Sequence, residues 1–274
     1  MTNKRSVEHA SKQRRTAAIM VWTCAIALLV LLRYRGKIGL YKALHVWMAE
    51  RGVADWVRNM DSELLIIFLG LVLCILMRAW GKGKTQGLLS DLGLHRGLAR
   101  GATVGLVMCT PILALGIVRS FMLDGVSFFD LEMIHLGLTG PFAEEWFFRG
   151  VLVLAMVRLV GTRFWTAAVV GALLFGAMHL QWTVEGAKGG WPVVLVTGAG
   201  GVWFAWLARQ WSRNLFVPIT VHMLMNLAAP WYGGTENAMG DPFFETGRAA
   251  TIALGTIMTI NPALFKMTWA KHER

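Results

Sequence analysis

A chain of 274 residues has room for one or two domains. It is 55% hydrophobic and only 16% charged, against about 25% for a soluble domain, which excludes a disordered chain and argues against a soluble enzyme. The net charge of +11 comes with no nucleic-acid motif, so it reads as basic loops that orient a membrane protein and touch anionic lipid, and no nucleic-acid partner is expected.

Residues 1–15 form a basic tail. Eight apolar runs follow, at roughly 16–32, 62–80, 102–118, 134–157, 164–180, 192–208, 214–230 and 249–265, each long enough for a helix to cross a bilayer. The first is flanked by Arg14, Arg15, Arg33 and Arg35 and lacks a small-residue cleavage site, so it reads as an uncleaved span. Residues 38–60 mix Leu40, Leu44, Trp47, Trp56 and Met60 with Lys42, Arg51 and Arg58, the pattern of an amphipathic helix lying on a membrane surface. The expected fold class is therefore all-α: a polytopic membrane helix bundle of about eight transmembrane helices plus an amphipathic interfacial helix. Four stretches are distinguished: the tail 1–15, a variable N-terminal transmembrane region 16–130, a core 131–232, and a C-terminal loop and last span 233–274. Cys24, Cys74 and Cys109 sit inside apolar runs, so neither a disulfide framework nor a Cys-rich zinc site is expected.

Orientation follows from lysine and arginine. With the N-terminus cytoplasmic, the cytoplasmic segments hold 17, the outer segments nine, and Arg149 lies in a span. Six of the nine fall in residues 33–61, against the rule, and the interfacial helix accounts for them. Both termini are thus expected in the cytoplasm, with a bacterial inner (cell) membrane as the location.

Of sixteen acidic residues, fourteen are assigned to loops and tails, while Glu144 and Glu145 sit side by side in the fourth span with Arg149. An ionisable group at a helix centre costs about 2.5–3.5 kcal/mol on insertion scales and marks a functional site by default. Glu145 and Arg149 are four apart and share a helix face, so they pair. Glu144 points about 100° away. Left without a local cationic partner, it suits general-base work on water. The bland reading is a structural ion-pair knot. Two of seven histidines, His179 and His222, lie in or at the end of spans five and seven. Phe175 precedes His179 by four, and Asn226 follows His222 by four, each pair on one helix face. In the N-in orientation all these groups fall at one depth, nearer the outer face.

Glu144-Glu145-Trp146-Phe147-Phe148-Arg149 reads EExxxR, Phe175 to His179 reads FxxxH, and His222 to Asn226 reads HxxxN. In this order on three apolar spans, the set resembles the CPBP family of CAAX-protease and bacteriocin-processing intramembrane endopeptidases, which includes the type II CAAX prenyl endopeptidases. The resemblance covers roughly 134–230, including the Gly-rich sixth span with Gly198, Gly200 and Gly201, and Pro218. It implies a helical bundle around a water-filled cavity. It also implies that Glu144, helped by His179, activates water, and that His222 and Asn226 stabilise the oxyanion. Glu145, Arg149 and Phe175 become supporting residues. The implied substrate is a membrane-anchored or C-terminally tailed protein, cut near its tail; an outer-facing site suggests a C-terminal sorting tail. No cofactor is required on this reading. Zinc held by Glu144, His179 and His222 is the alternative, although no HExxH is present.

Other residues have plainer readings. Gly198, Gly201 and Ala205 suit close helix packing. Trp146, Phe147 and Phe148 suit packing and lipid contact, and 231–248 reads as a connector. Met239-Gly240-Asp241 lacks the first glycine of GxGD, and Gly125-Val126-Ser127 sits in a polar loop, so aspartyl and serine intramembrane proteases are disfavoured. Competing functions are a non-enzymatic membrane binding or bacteriocin self-immunity protein, and a transporter that relays protons.

Overall fold

The computed structural model describes residues 15–27, 30, 39–53, 60–80, 86–123, 135–179, 190–232 and 242–262, and these are helical with no strand among them. In chain order the helices are α1 (Arg15–Ala27), α2 (Gly39–Glu50), α3 (Asp61–Trp80), α4 (Leu88–Asp91), α5 (Leu98–Met108), α6 (Thr110–Ser120), α7 (Gly140–Glu145), α8 (Phe164–Met178), α9 (Gly190–Gln210), α10 (Phe216–Ala228) and α11 (Pro242–Ile260). α7 is the middle of a longer rod, preceded by a π-helical turn His135–Thr139 and followed by a π-helix Trp146–Val160.

That rod is the centre of the bundle. Trp146, Phe147, Phe148, Val151, Leu152, Val153, Leu154, Ala155 and Met156 are all buried, and a helix apolar on every side belongs inside other helices. The rod ends at Gly161, whose φ of +78° is the left-handed conformation that closes a helix C-terminus. The aromatic triplet after the paired glutamates is therefore core packing and makes no lipid contact, contrary to half of its expected role. Two apolar clusters flank the rod. One joins α1, α3 and the rod; the other joins α5, α6, α9, α10 and α11.

Several elements differ from the apolar runs. The run 102–118 is two helices, bent by 57° at Cys109. Pro111 has no N–H to donate one turn back and its ring crowds the carbonyl there, while the Thr110 hydroxyl donates to the Val107 carbonyl at 2.9 Å. The last helix starts earlier than residue 249, with Pro242 in its first turn, and stops at Ile260 just before Pro262. Of the helix expected over 38–60, the described residues show Gly39–Glu50, closed at Gly52 with φ +71°; Trp56 and Arg58 lie outside the described residues. Glu63, assigned to a loop, is in the first turn of α3.

Among the described residues, two helices are long and apolar enough to cross a membrane alone, Glu63–Trp80 and Trp191–Gln210, and the bent pair α5–α6 makes a third. α1 and α8 are apolar but shorter, and the central rod is divided by its change of winding. Large apolar side chains face outward on several of these helices, among them Leu64, Phe68 and Ile75 on α3 and Leu173 on α8. Such a surface suits lipid.

Candidate active site

Glu144 and Glu145 close α7 and Arg149 follows on the π-helix, so both carboxylates come from the central rod. Glu145 is fully buried and pairs with Arg149, whose Nη1 lies 2.9 Å from Glu145 Oε1. The pairing expected from the four-residue spacing is present, and each charge is compensated in a place where a lone ion is costly.

Arg149 is also caged by aromatic rings. Its guanidinium carbon lies 4.3 Å from the ring centre of Phe175 on α8 and 5.3 Å from that of Phe204 on α9. α8 and α9 approach closely enough to form this cage because small residues line their seam. A Cβ on Gly201 would come within 3.1 Å of Ala172 Cα and 3.4 Å of Arg149 Nη2, and a Cβ on Gly176 within 2.8 Å of the Val194 carbonyl. The close-packing role expected for the sixth span is therefore observed at Gly201, with Ala205 buried nearby.

α10 brings the histidine. Asn214 starts it: its side-chain oxygen accepts the Phe216 N–H at 3.0 Å, and Pro218 sits in the first turn, where a missing N–H leaves no bond unmade. One turn on, His222 enters the Glu pair. Its Nδ1 donates to Glu145 Oε1 at 2.9 Å, and its Nε2 lies 3.7 Å from Glu144 Oε2. A carboxylate only accepts, so Glu145 fixes the proton on Nδ1 and aims Nε2 at Glu144. The ring stacks on Phe204 at 5.3 Å and 28° and meets Phe175 edge-on at 6.3 Å.

The two carboxylates thus differ in kind. Glu145 is shared between Arg149 and His222 and has no exposure; Glu144 has 23% of its side chain exposed and faces only the far side of His222 among the contacts of this set. His179 caps α8, with Nδ1 donating to the Phe175 carbonyl at 2.9 Å and its ring 5.0 Å from Phe175. Its Nε2 is thereby left as the acceptor. Asn226 lies one turn beyond His222 and is exposed.

Glu144, Glu145, Arg149, Phe175 and His222 therefore form one contact set; His179 joins through Phe175, and Asn226 shares the His222 helix. Phe204 was not singled out from sequence, since one aromatic in a helix rich in Trp and Phe carries no signal without its partners. Among the described residues no three His, Cys, Asp or Glu side chains are gathered as a metal would need.

The family model described as type II CAAX prenyl endopeptidase Rce1-like matches residues 127–228, a stretch that holds all three motifs. The match supports the resemblance to the CAAX-protease family that the three motifs carry. The family is one of proteases, and the matched stretch places every motif residue within the contact set or on its helices. Comparison with curated proteins and with solved structures returned no match.

Proposed function

We propose that the chain is an intramembrane endopeptidase that cuts a membrane-anchored or C-terminally tailed protein near its tail. The observation that carries this reading is the unequal pair: one carboxylate neutralised by Arg149 and His222, its neighbour left partly exposed beside an imidazole. A purely structural knot would have no reason to leave the second carboxylate partly exposed.

Glu144 is the general base, assisted by His179. It takes a proton as the water oxygen bonds to the scissile carbonyl carbon, and returns it to the amine nitrogen as the C–N bond breaks. The oxyanion is met by Asn226 and by His222. Because Nδ1 of His222 already donates to Glu145, donation from Nε2 requires the doubly protonated ring, and Glu145 supplies the counter-charge. Arg149 and Phe175 position that pair. The reaction needs no metal on this reading; sustained turnover after exhaustive chelation is the expected result, and loss reversed by zinc would move Glu144, His179 and His222 into a ligand role.

The distribution of lysine and arginine favours both termini in the cytoplasm and the site nearer the outer face, which makes a C-terminal sorting tail the favoured substrate. α2, with Leu44, Val46 and Trp47 exposed beside exposed Lys42, suits the membrane surface.

The test compares protein C-termini by mass spectrometry in membranes of matched cells, one set carrying the chain and the other its Glu144→Gln form at equal abundance. Tails kept only in the variant support the protease and name the substrate and membrane side. Identical profiles favour a binding or self-immunity protein.

A further inference from the structure

His222 has to serve two carboxylates at once: Nδ1 donates to Glu145 and Nε2 faces Glu144. The bond to Glu145 does not secure both. One hydrogen bond holds one ring atom, and the last torsion of a histidine side chain is broad, so the tilt of the imidazole plane stays open. Aromatic contacts must set it. Phe175 meets the ring edge-on, at 89° and 6.3 Å between centres, a contact that leaves the plane free to rock. Phe204, from α9, lies nearly parallel to it at 28° and 5.3 Å, and a stacked ring opposes tilting.

The Phe204 ring is itself held. It is buried, and its ring centre lies 5.3 Å from that of Trp203. Trp203 Nε1 donates to Thr256 Oγ1 on α11 at 3.1 Å. Gly255 gives that indole its room, since a Cβ there would fall 3.0 Å from Trp203 Cζ2. α9 is also seated on α8, where a Cβ on Gly201 would meet Ala172 at 3.1 Å. The stretch that carries Phe204 is therefore tied to two other helices. The same ring touches the Arg149 guanidinium, whose carbon is 5.3 Å from its centre. One fixed phenyl thus registers both groups that answer Glu145.

We propose that Phe204 is a positioning residue of the proposed reaction: its face sets the plane of the His222 imidazole, and so the aim of Nε2 at Glu144 and at the oxyanion. The catalytic part of this inference rests on the protease reading; the hold on the ring does not. Phe204 acts through His222 and has no contact with substrate on this account, so its loss should fall on kcat and spare KM.

The test uses the full chain with isotope-labelled histidine, as parent, Phe204→Leu and Phe204→Tyr. Three readouts are taken on each: melting temperature, the NMR signal of the His222 Nδ1–H, and kcat and KM on a substrate found from the C-terminal comparison. Phe204→Leu keeps an apolar side chain and removes the flat face. It should lose the Nδ1–H signal to solvent exchange and lower kcat roughly 10–10²-fold, the scale of a small misplacement, with KM unchanged. Phe204→Tyr restores the face and should keep both. Should Phe204→Leu fail to fold, Phe204→Met takes its place. A side chain that only packs would lower the melting temperature and leave kcat of the folded enzyme at the parent value. That result, an Nδ1–H signal as strong in Phe204→Leu as in the parent, or equal losses in the Tyr and Leu variants would overturn the proposal. A parent that cuts nothing would overturn the protease reading instead, and the Nδ1–H signal would still decide whether Phe204 holds the ring.

Discussion

Glu145 and Asp91 are both fully buried and both met by arginine, yet their surroundings differ in kind. Around Glu145 the charges nearly cancel: Arg149 answers it, aromatic rings from α8 and α9 wall it off, and His222 spends its Nδ1–H on it. Around Asp91 the carboxylate is shared by Arg78 and Arg158, and Arg213 donates to its backbone carbonyl. A neutral, walled cluster can hold a neighbouring carboxylate ready for chemistry without drawing in counter-ions.

The contrast can be broken most forcefully at Glu144. Glu144→Gln should cut turnover by roughly 10²–10⁴-fold, the usual share of a general base, with the melting temperature unchanged. Next in size is the ion pair. Arg149→Ala or Glu145→Ala leaves one buried charge unanswered and should cost about 3–5 kcal/mol, read as lost abundance and a lowered unfolding midpoint. Combining Glu145→Gln with Arg149→Met should recover most of that stability but not the activity. The same logic separates the two oxyanion candidates: Asn226→Ala should lose activity at normal abundance, whereas His222→Ala should lose both, because buried Glu145 then keeps Arg149 but loses the Nδ1–H hydrogen bond. Normal abundance of His222→Ala would deny the bond to Glu145 a structural part.

Gly201→Ala should cost about 1–3 kcal/mol by overpacking the α8–α9 seam, and should lower turnover further by displacing Arg149. The smallest effect belongs to the arginine end. The folded-state value of His95 is depressed by burial, Arg96, Arg213 and Arg158 against the opposing Asp91, so the unfolded chain binds the proton more readily. Stability should therefore be highest above about pH 6.5, the unfolded imidazole value, and fall slightly as pH drops through it. His95→Gln should remove that slope in urea melts.

What could be read in advance was what helical periodicity carries. The Glu145–Arg149 pair and the His222–Asn226 and Phe175–His179 spacings all lie within one turn, and apolar runs marked most helices. Contacts between distant segments could not be read. His222 reaches the glutamates from 77 residues away, and Phe204 stacks on it from a third helix. Asp91 looked like a loop residue because its burial depends on Arg158 and Arg213, 67 and 122 positions on. The break at Cys109 had a sign in Pro111, overridden by the apolar run on either side. For the long π-helical winding of Trp146–Val160 we have no physical account.

The most direct test of the division between the two glutamates uses a substrate found from the C-terminal comparison. Purified parent, Glu144→Gln and Glu145→Gln proteins would be measured in one preparation for cleavage rate and unfolding midpoint. The account predicts that Glu144→Gln melts like the parent and does not cut, while Glu145→Gln melts lower. Cleavage by Glu144→Gln at the parent rate, or equal destabilisation by both substitutions, would contradict it.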